Sequence, residues 1–253
     1  MIKIGTKQKM VIDRFTENGA YIKDINDDAE DAILLPKKYV KEEYEVGTEV
    51  NVFVYKDSKD RFIATTKEPA LQVGQIGLLK VVETTKIGAF LDWGLEKDLF
   101  LPFKEQKGNI VKGYEYLVYV YVDKSKRICA TTFVNKMLKT ESQFKVNDKV
   151  TGTVYGLSRE FGVYVAVNDT YRGLIPKKEV FDDYKLGDKI EARITNIKED
   201  GKLDLSVRNK GYKEMSTDAD KIIEKLLKNG GKYHVHDGSS PDLIKSELKM
   251  SKR

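Results

Sequence analysis

One short phrase recurs three times along the chain: Leu34-Leu35-Pro36, Phe100-Leu101-Pro102 and Leu174-Ile175-Pro176. Each copy follows a strand-like segment that opens on glycine: Gly19-Ala20-Tyr21-Ile22, Gly88-Ala89-Phe90-Leu91 and Gly162-Val163-Tyr164-Val165. Each is followed by a third match: Ala64-Thr65-Thr66, Ala130-Thr131-Thr132 and Leu205-Ser206-Val207. The spacing is roughly 70 residues, so one small β unit is written three times in succession. A unit of that length can bury its own core with modest stability. The repeat therefore predicts a tandem array of modules, and arrays commonly bind something extended.

Within a unit the pattern implies five short strands. A β-rich run such as Gly152-Thr153-Val154-Tyr155-Gly156-Leu157 opens it, and the glycine strand and the proline phrase follow. A basic or amphipathic segment comes next, as in Lys37-Lys38-Tyr39-Val40. A long alternating strand, Asn51-Val52-Phe53-Val54-Tyr55, then leads through the charged turn Lys56-Asp57-Ser58-Lys59-Asp60 to the last strand. Valine, tyrosine and phenylalanine alternate with polar residues throughout, and a five-stranded Greek-key barrel closes such a set without exposed edges. The expected units are residues 1–69, 70–143 and 144–210, with a different segment over 211–253. In that last segment Asp218 to Leu227 has helical spacing, and Gly230-Gly231 stops it. Ser240-Pro241 reads as the start of a second helix. The expected class is mainly β, with a small, incomplete α-helical segment at the end.

Bulk composition excludes several function classes. At 40% hydrophobic residues the 253-residue chain is globular rather than disordered. The single cysteine, Cys129, cannot form an internal disulfide or a cysteine-rich metal site, and its β context predicts a buried structural role. No run approaches 18 apolar residues, so no membrane span and no membrane partner is expected, and a reducing cytoplasm is the natural compartment. His234, His236 and Asp237 are too few and too closely spaced to read as zinc ligands. Trp93 reads as packing. Nucleotide-binding glycine loops, triad-like sets and carboxylate pairs with a defined role are all missing, so neither catalysis nor a cofactor is expected.

The net charge of +5 permits nucleic-acid binding without requiring it. The sharpest local feature is the glycine strand. Glycine inside a strand marks a bulge or a close approach. A bulge at Gly162 would bring Phe161 and Tyr164 to the outer surface, with Val163 and Val165 inside. Exposed rings on a curved sheet form a stacking platform for unpaired bases; the same rings could equally fill a core or an interface between repeats. The slot before the glycine holds Asn18, Ile87 and Phe161, while Tyr21, Phe90 and Tyr164 keep one aromatic per repeat. Asn18 argues that the slot is exposed in the first copy. Arg61, Arg127 and Lys202 occupy matched positions at the start of the last strand. Lys37-Lys38, Lys104 and Lys177-Lys178 follow the prolines. Cations beside rings on one face would track a phosphate backbone, whereas a chain with 34% charged residues also places many lysines on plain solvated faces.

Assembled, each repeat resembles the S1-type RNA-binding domain, an OB-fold. The resemblance is clearest at Phe161-Gly162-Val163-Tyr164-Val165, Gly173-Leu174-Ile175-Pro176 and Leu203-Asp204-Leu205-Ser206-Val207. That family uses two aromatics around the glycine, a histidine in the next strand, and an aspartate and an arginine near the last strand. By motif the aromatics carry over to Phe161 and Tyr164 and the basic residue to Lys202. The histidine slot holds Pro36, Pro102 and Pro176; the aspartate slot holds Asp57, Asp123 and Lys198.

Over its whole length the chain is similar to the conserved virulence factor B family of bacterial proteins, which place three S1-type repeats ahead of a C-terminal winged helix and bind RNA. Ser240-Pro241-Asp242-Leu243-Ile244-Lys245 and Met250-Ser251-Lys252-Arg253 carry the most specific part of that likeness. The family's third helix and wing are missing, so a truncated or reduced module is expected. The resemblance implies a non-enzymatic, post-transcriptional regulator that binds single-stranded RNA. The implied contacts are Tyr21, Phe90, Phe161 and Tyr164 by stacking, and Arg61, Arg127 and Lys202 on the backbone. The alternatives are a protein-interaction scaffold, or DNA binding through a winged helix completed elsewhere.

Overall fold

The computed structural model describes residues 2–25, 32–57, 59–207, 222–228, 230, 234–236 and 238–248. Asp218, Gly231, Asp237 and residues 250–253, invoked above, lie outside them. The chain separates into two compact units, Met1–Met137 and Leu138–Arg253.

The first unit holds two barrels. Strands β1 (Lys7–Thr16), β2 (Gly19–Asp24), β3 (Ile33–Pro36), β4 (Glu49–Lys56) and β5 (Phe62–Thr65) close in the order β1-β2-β3-β5-β4. Strands β6 (Ile76–Thr84), β7 (Gly88–Asp92), β8 (Leu99–Pro102), β9 (Glu115–Val122) and β10 (Ile128–Thr131) repeat that order. The second unit holds the third barrel, from β11 (Lys149–Ser158), β12 (Gly162–Val167), β13 (Tyr171–Pro176), β14 (Lys189–Ile197) and β15 (Leu203–Ser206). In each barrel the third and fifth strands run parallel and every other neighbouring pair antiparallel. Three five-stranded barrels in tandem are the architecture the repeat predicted.

Alternation makes the cores. In the first barrel Met10, Ile12, Ala20, Ile22, Leu35, Val52, Val54 and Ala64 point inward and are buried. In the third, Val154, Val163, Val165, Ile175, Ile194, Leu203 and Leu205 do the same. Each fully buried aliphatic side chain contributes roughly 1.5–3 kcal/mol to holding its barrel together, against the entropy of ordering the chain.

The bulge lies elsewhere than at Gly162. Each barrel's long first strand shifts register once, between Ile12 and Arg14, Val81 and Glu83, and Val154 and Gly156. That strand must pair with both the second and the fourth strand of its barrel, and an extra residue supplies the bend which closure demands.

The two barrels of the first unit are locked together. Trp93 is buried and meets Phe53 edge-on, with ring centroids 5.6 Å apart, while its Nε1 donates to the Lys97 carbonyl at 2.6 Å. Lys97 Nζ donates to the Asp57 carbonyl at 2.9 Å, and Lys56 Nζ to the Ser125 carbonyl at 2.9 Å. Lys38 pairs with Glu96, and Arg127 with Asp60.

In the second unit residues 222–228 are helical, and Gly230 follows with φ +66°. A second helix spans Pro241–Leu248. Ser240 caps it: its Oγ accepts from the Leu243 amide at 3.3 Å. Ile244 and Leu248 bury their side chains with Val235 packed against them.

Candidate nucleic-acid interface

The recurring glycine and proline meet at one corner of every barrel. Gly19 pairs with Pro36, Gly88 with Pro102 and Gly162 with Pro176. A Cβ on these glycines would overlap the carbonyl oxygens of Leu35, Leu101 and Ile175 respectively. Gly19 and Gly162 also have φ +139° and +119°, which L side chains rarely adopt. The residue before each glycine completes the corner through its backbone: the carbonyls of Asn18, Ile87 and Phe161 accept from the amides of Lys37, Phe103 and Lys177 at 3.0, 2.9 and 3.0 Å. The corner thus constrains the backbone of that slot and leaves its side chain outward. Asn18 is exposed, and Ile87 and Phe161 are 67% and 54% exposed.

Two residues beyond the glycine, Tyr21, Phe90 and Tyr164 are half-buried on the outer face, while their neighbours Ile22, Leu91 and Val163 enter the core. Register places Arg14 and Leu34 beside Tyr21, Glu83 and Phe100 beside Phe90, and Gly156 and Leu174 beside Tyr164. The three platforms therefore differ. In the first barrel the Arg14 guanidinium lies over the Tyr21 ring, 4.5 Å from its centroid. In the second, Phe100 stands 5.3 Å from Phe90, centroid to centroid. In the third, Tyr155 lies 6.0 Å from Tyr164, and Phe161 stands exposed at the corner. Arg14 and Phe100 escaped the sequence reading. Phe100 alternates with the core residues Leu99 and Leu101, and that alternation alone would have placed it outside.

The matched basic residues share a backbone position. Arg61, Arg127 and Lys202 each offer their carbonyl to the residue four back, Asp57, Asp123 or Lys198, at 2.9 Å in all three barrels. All three immediately precede the last strand of their barrel, and Arg127 lines the same cleft as Phe90 and Phe100. Each is engaged with a carboxylate while remaining open to solvent. Arg61 binds Asp57 through Nε at 3.0 Å and a terminal nitrogen at 2.8 Å. Arg127 reaches across to Asp60 of the first barrel, its Nε at 3.1 Å. Lys202 pairs with Asp200 at 2.6 Å. Burial would raise the Asp57 carboxyl, but hydrogen bonds from Arg61 and Lys59 outweigh it and hold the pKa below 3.8. Lys37, Lys104, Lys177 and Lys178 are exposed on the turns after the prolines.

Cys129 is buried beside the second platform, and desolvation pushes its thiol up to about 12. The His236 ring serves a turn, with Nδ1 accepting from the Gly238 amide at 3.0 Å. Among the described residues no group of three His, Cys, Asp or Glu side chains is placed to hold a metal ion, and no helix is long and apolar enough to cross a membrane.

The S1 domain family model matches residues 4–67 and 73–133, the span of the first two barrels. Residues 134–209 match the second domain of the virulence regulatory factor CvfB, and residues 220–253 match the CvfB-like winged helix domain. The Bacillus subtilis protein YitL is 29% identical, over 98% of this chain and 85% of its own. Conserved virulence factor B of Staphylococcus epidermidis is 28% identical, over 84% of this chain and 74% of its own. A crystal structure of a multidomain protein with nucleic acid binding domains from Streptococcus pneumoniae aligns with a TM-score of 0.54 at 25% identity, covering 98% of this chain and 89% of that one. The matched domains are those of a nucleic-acid-binding regulator. With three such barrels in tandem and both of its family-specific domains recognised, the chain belongs to the conserved virulence factor B family.

Proposed function

We propose that this protein binds single-stranded RNA in the cytoplasm and regulates gene expression after transcription, without catalysing a reaction. The observation that carries the reading is the repeated corner. In three barrels the same glycine–proline geometry presents an aromatic ring, Tyr21, Phe90 or Tyr164, on the outer face. A ring face stacks on any base, at about 1–3 kcal/mol per base. Phe161 adds a second platform in the third barrel. Arg61, Arg127 and Lys202 border the same faces, where they contact the phosphate backbone.

Stacking requires bases that are already unstacked, and an A-form duplex hides them. Fluorescence anisotropy with matched single- and double-stranded RNA should therefore show tighter binding to the single strand. Affinity should also fall steeply with added salt, since phosphate contacts release counterions. Equal or tighter duplex binding counts against stacking; binding indifferent to salt points instead to a protein-interaction scaffold.

A further inference from the structure

We propose that the cleft between the first and second barrels is a base slot selective for guanine, in which the Asp98 carboxylate reads the Watson–Crick edge. The inference rests on the RNA-binding reading above and adds the identity of one base.

The cleft has a volume of about 270 Å³. That is just under the roughly 300–1,000 Å³ of ordinary small-molecule sites, so it suits a single nucleoside. Phe90 and Phe100 form an aromatic floor, and exposed Ile87 lines one side. Lys56 and Lys97 line the cleft too; their hydrogen bonds go to neutral carbonyls, which leaves both ammonium charges available to a phosphate at the rim. Arg127 is there as well, paired with Asp60 and still open to solvent.

Two carboxylates line the cleft, Asp60 and Asp98, and they differ. Asp57, Asp60 and Glu96 all hold cations. Asp98 precedes β8, lines the cleft, and has no hydrogen-bond or ion-pair partner among the described residues. Burial, reinforced by the charges of Asp92 and Glu83, pushes its pKa above 3.8. A half-buried carboxylate in that position gains most from donors supplied by a ligand.

Guanine has the edge that fits. Its N1–H and N2–H lie side by side and parallel, matching the two oxygens of one carboxylate. Adenine and cytosine offer one donor beside an acceptor, and uracil one donor between two acceptors, so an ionised Asp98 meets a lone pair on each of them. Single-stranded RNA exposes these edges to the protein. A free guanine nucleotide carries the same base, and the experiment must separate the two sources.

The test uses the full chain, its Asp98→Asn and Asp98→Ala variants, and two readouts. Anisotropy compares an all-uridine RNA oligonucleotide with the same oligonucleotide carrying one central guanosine. Fluorescence of Trp93, the sole tryptophan and part of the cleft wall, follows titration with the four nucleoside 5′-monophosphates. The single guanosine should tighten wild-type binding by roughly ten- to a hundredfold. Both variants should cut that gain to below about threefold, a ratio internal to each variant and so insensitive to partial loss of folded protein. Wild-type protein that binds both oligonucleotides alike, or variants that keep the full gain, would overturn the guanine slot and leave RNA binding standing. Failure to bind either oligonucleotide, with Trp93 still quenched by guanosine monophosphate alone, would overturn the RNA reading and assign the slot to a free nucleotide. If neither the oligonucleotides nor any monophosphate binds, both inferences fall.

Discussion

Phe161→Ala separates stacking from folding more cleanly than any other substitution in the three barrels. The ring is 54% exposed at the barrel corner. Its backbone does the structural part: the carbonyl accepts from Lys177 at 3.0 Å, and the amide donates to Ser158 Oγ at 3.1 Å. Both bonds survive the substitution, and the equivalent slots already accept Asn18 and Ile87. Loss of stability should stay within about 0.5 kcal/mol, as for most surface changes. Loss of a stacked base costs about 1–3 kcal/mol, and 1.4 kcal/mol is tenfold, so RNA affinity should fall by roughly five- to a hundredfold. Tyr164→Ala is less clean. That ring is half-buried beside Leu174 and Tyr155, and its removal should also destabilise the barrel, on the order of 1–2 kcal/mol. The assay is anisotropy with a single-stranded RNA of about ten nucleotides, within the span of one OB barrel. A longer RNA would engage several barrels, and their linkage would mask the loss. Circular dichroism melts confirm the fold. A folded Phe161→Ala protein that binds within twofold of wild type refutes the platform at this corner. The same measurements rank the barrels. Aromatic count along the sequence favours the third alone, but Phe100 beside Phe90 gives the second barrel a ring pair as well, so Tyr21→Ala in the first should be the mildest of the platform changes.

Three further outcomes are expected. Gly162→Ala forces a side chain into φ +119° and onto the Ile175 carbonyl; it should cost about 3 kcal/mol or more and lower the calorimetric transition of the third barrel by over about 10 °C, and an unshifted transition would show that the corner is slack. Cys129, with its thiol pushed up to about 12 by burial, should resist alkylation at pH 8 in the native protein and react promptly in denaturant; equal rates in both would contradict its burial. At Asp57 and Asp123 burial is outweighed by hydrogen bonds, chiefly from Arg61 to the first and from Ser125 and Arg127 to the second, and both carboxyls are held below 3.8. A folded-state value below the unfolded one stabilises above the unfolded pKa and is lost as pH falls through the folded one. Melting temperature should thus be level down to about pH 5 and drop below about pH 4, and the drop should shrink in an Asp57→Ala/Asp123→Ala double variant.

What was legible in the sequence was whatever the backbone repeats. Gly19, Gly88 and Gly162 recur because a Cβ there would collide with the next strand. Pro36, Pro102 and Pro176 recur because they end that strand and start a tight turn. These constraints are local, so they leave a mark at fixed spacing. The bulge was misplaced for the opposite reason: closing the barrel needs one extra residue in the first strand, and residues as different as Asp13, Val82 and Tyr155 supply it. The basic residues show where repeat matching stops. Arg61, Arg127 and Lys202 were paired correctly as positions, and each makes the same carbonyl contact four residues back. Their side chains nevertheless hold three different partners: Asp57 in its own loop, Asp60 in the neighbouring barrel, and Asp200 two residues away. Arg127 and Asp60 lie 67 residues apart, and nothing in either repeat read alone joins them. A cation at a matched position therefore identifies a place on the fold, while its chemistry is decided by the nearest carboxylate. By the same logic the informative acid is Asp98, which lines a cleft beside two rings while its neighbours Asp57, Asp60 and Glu96 are all spoken for.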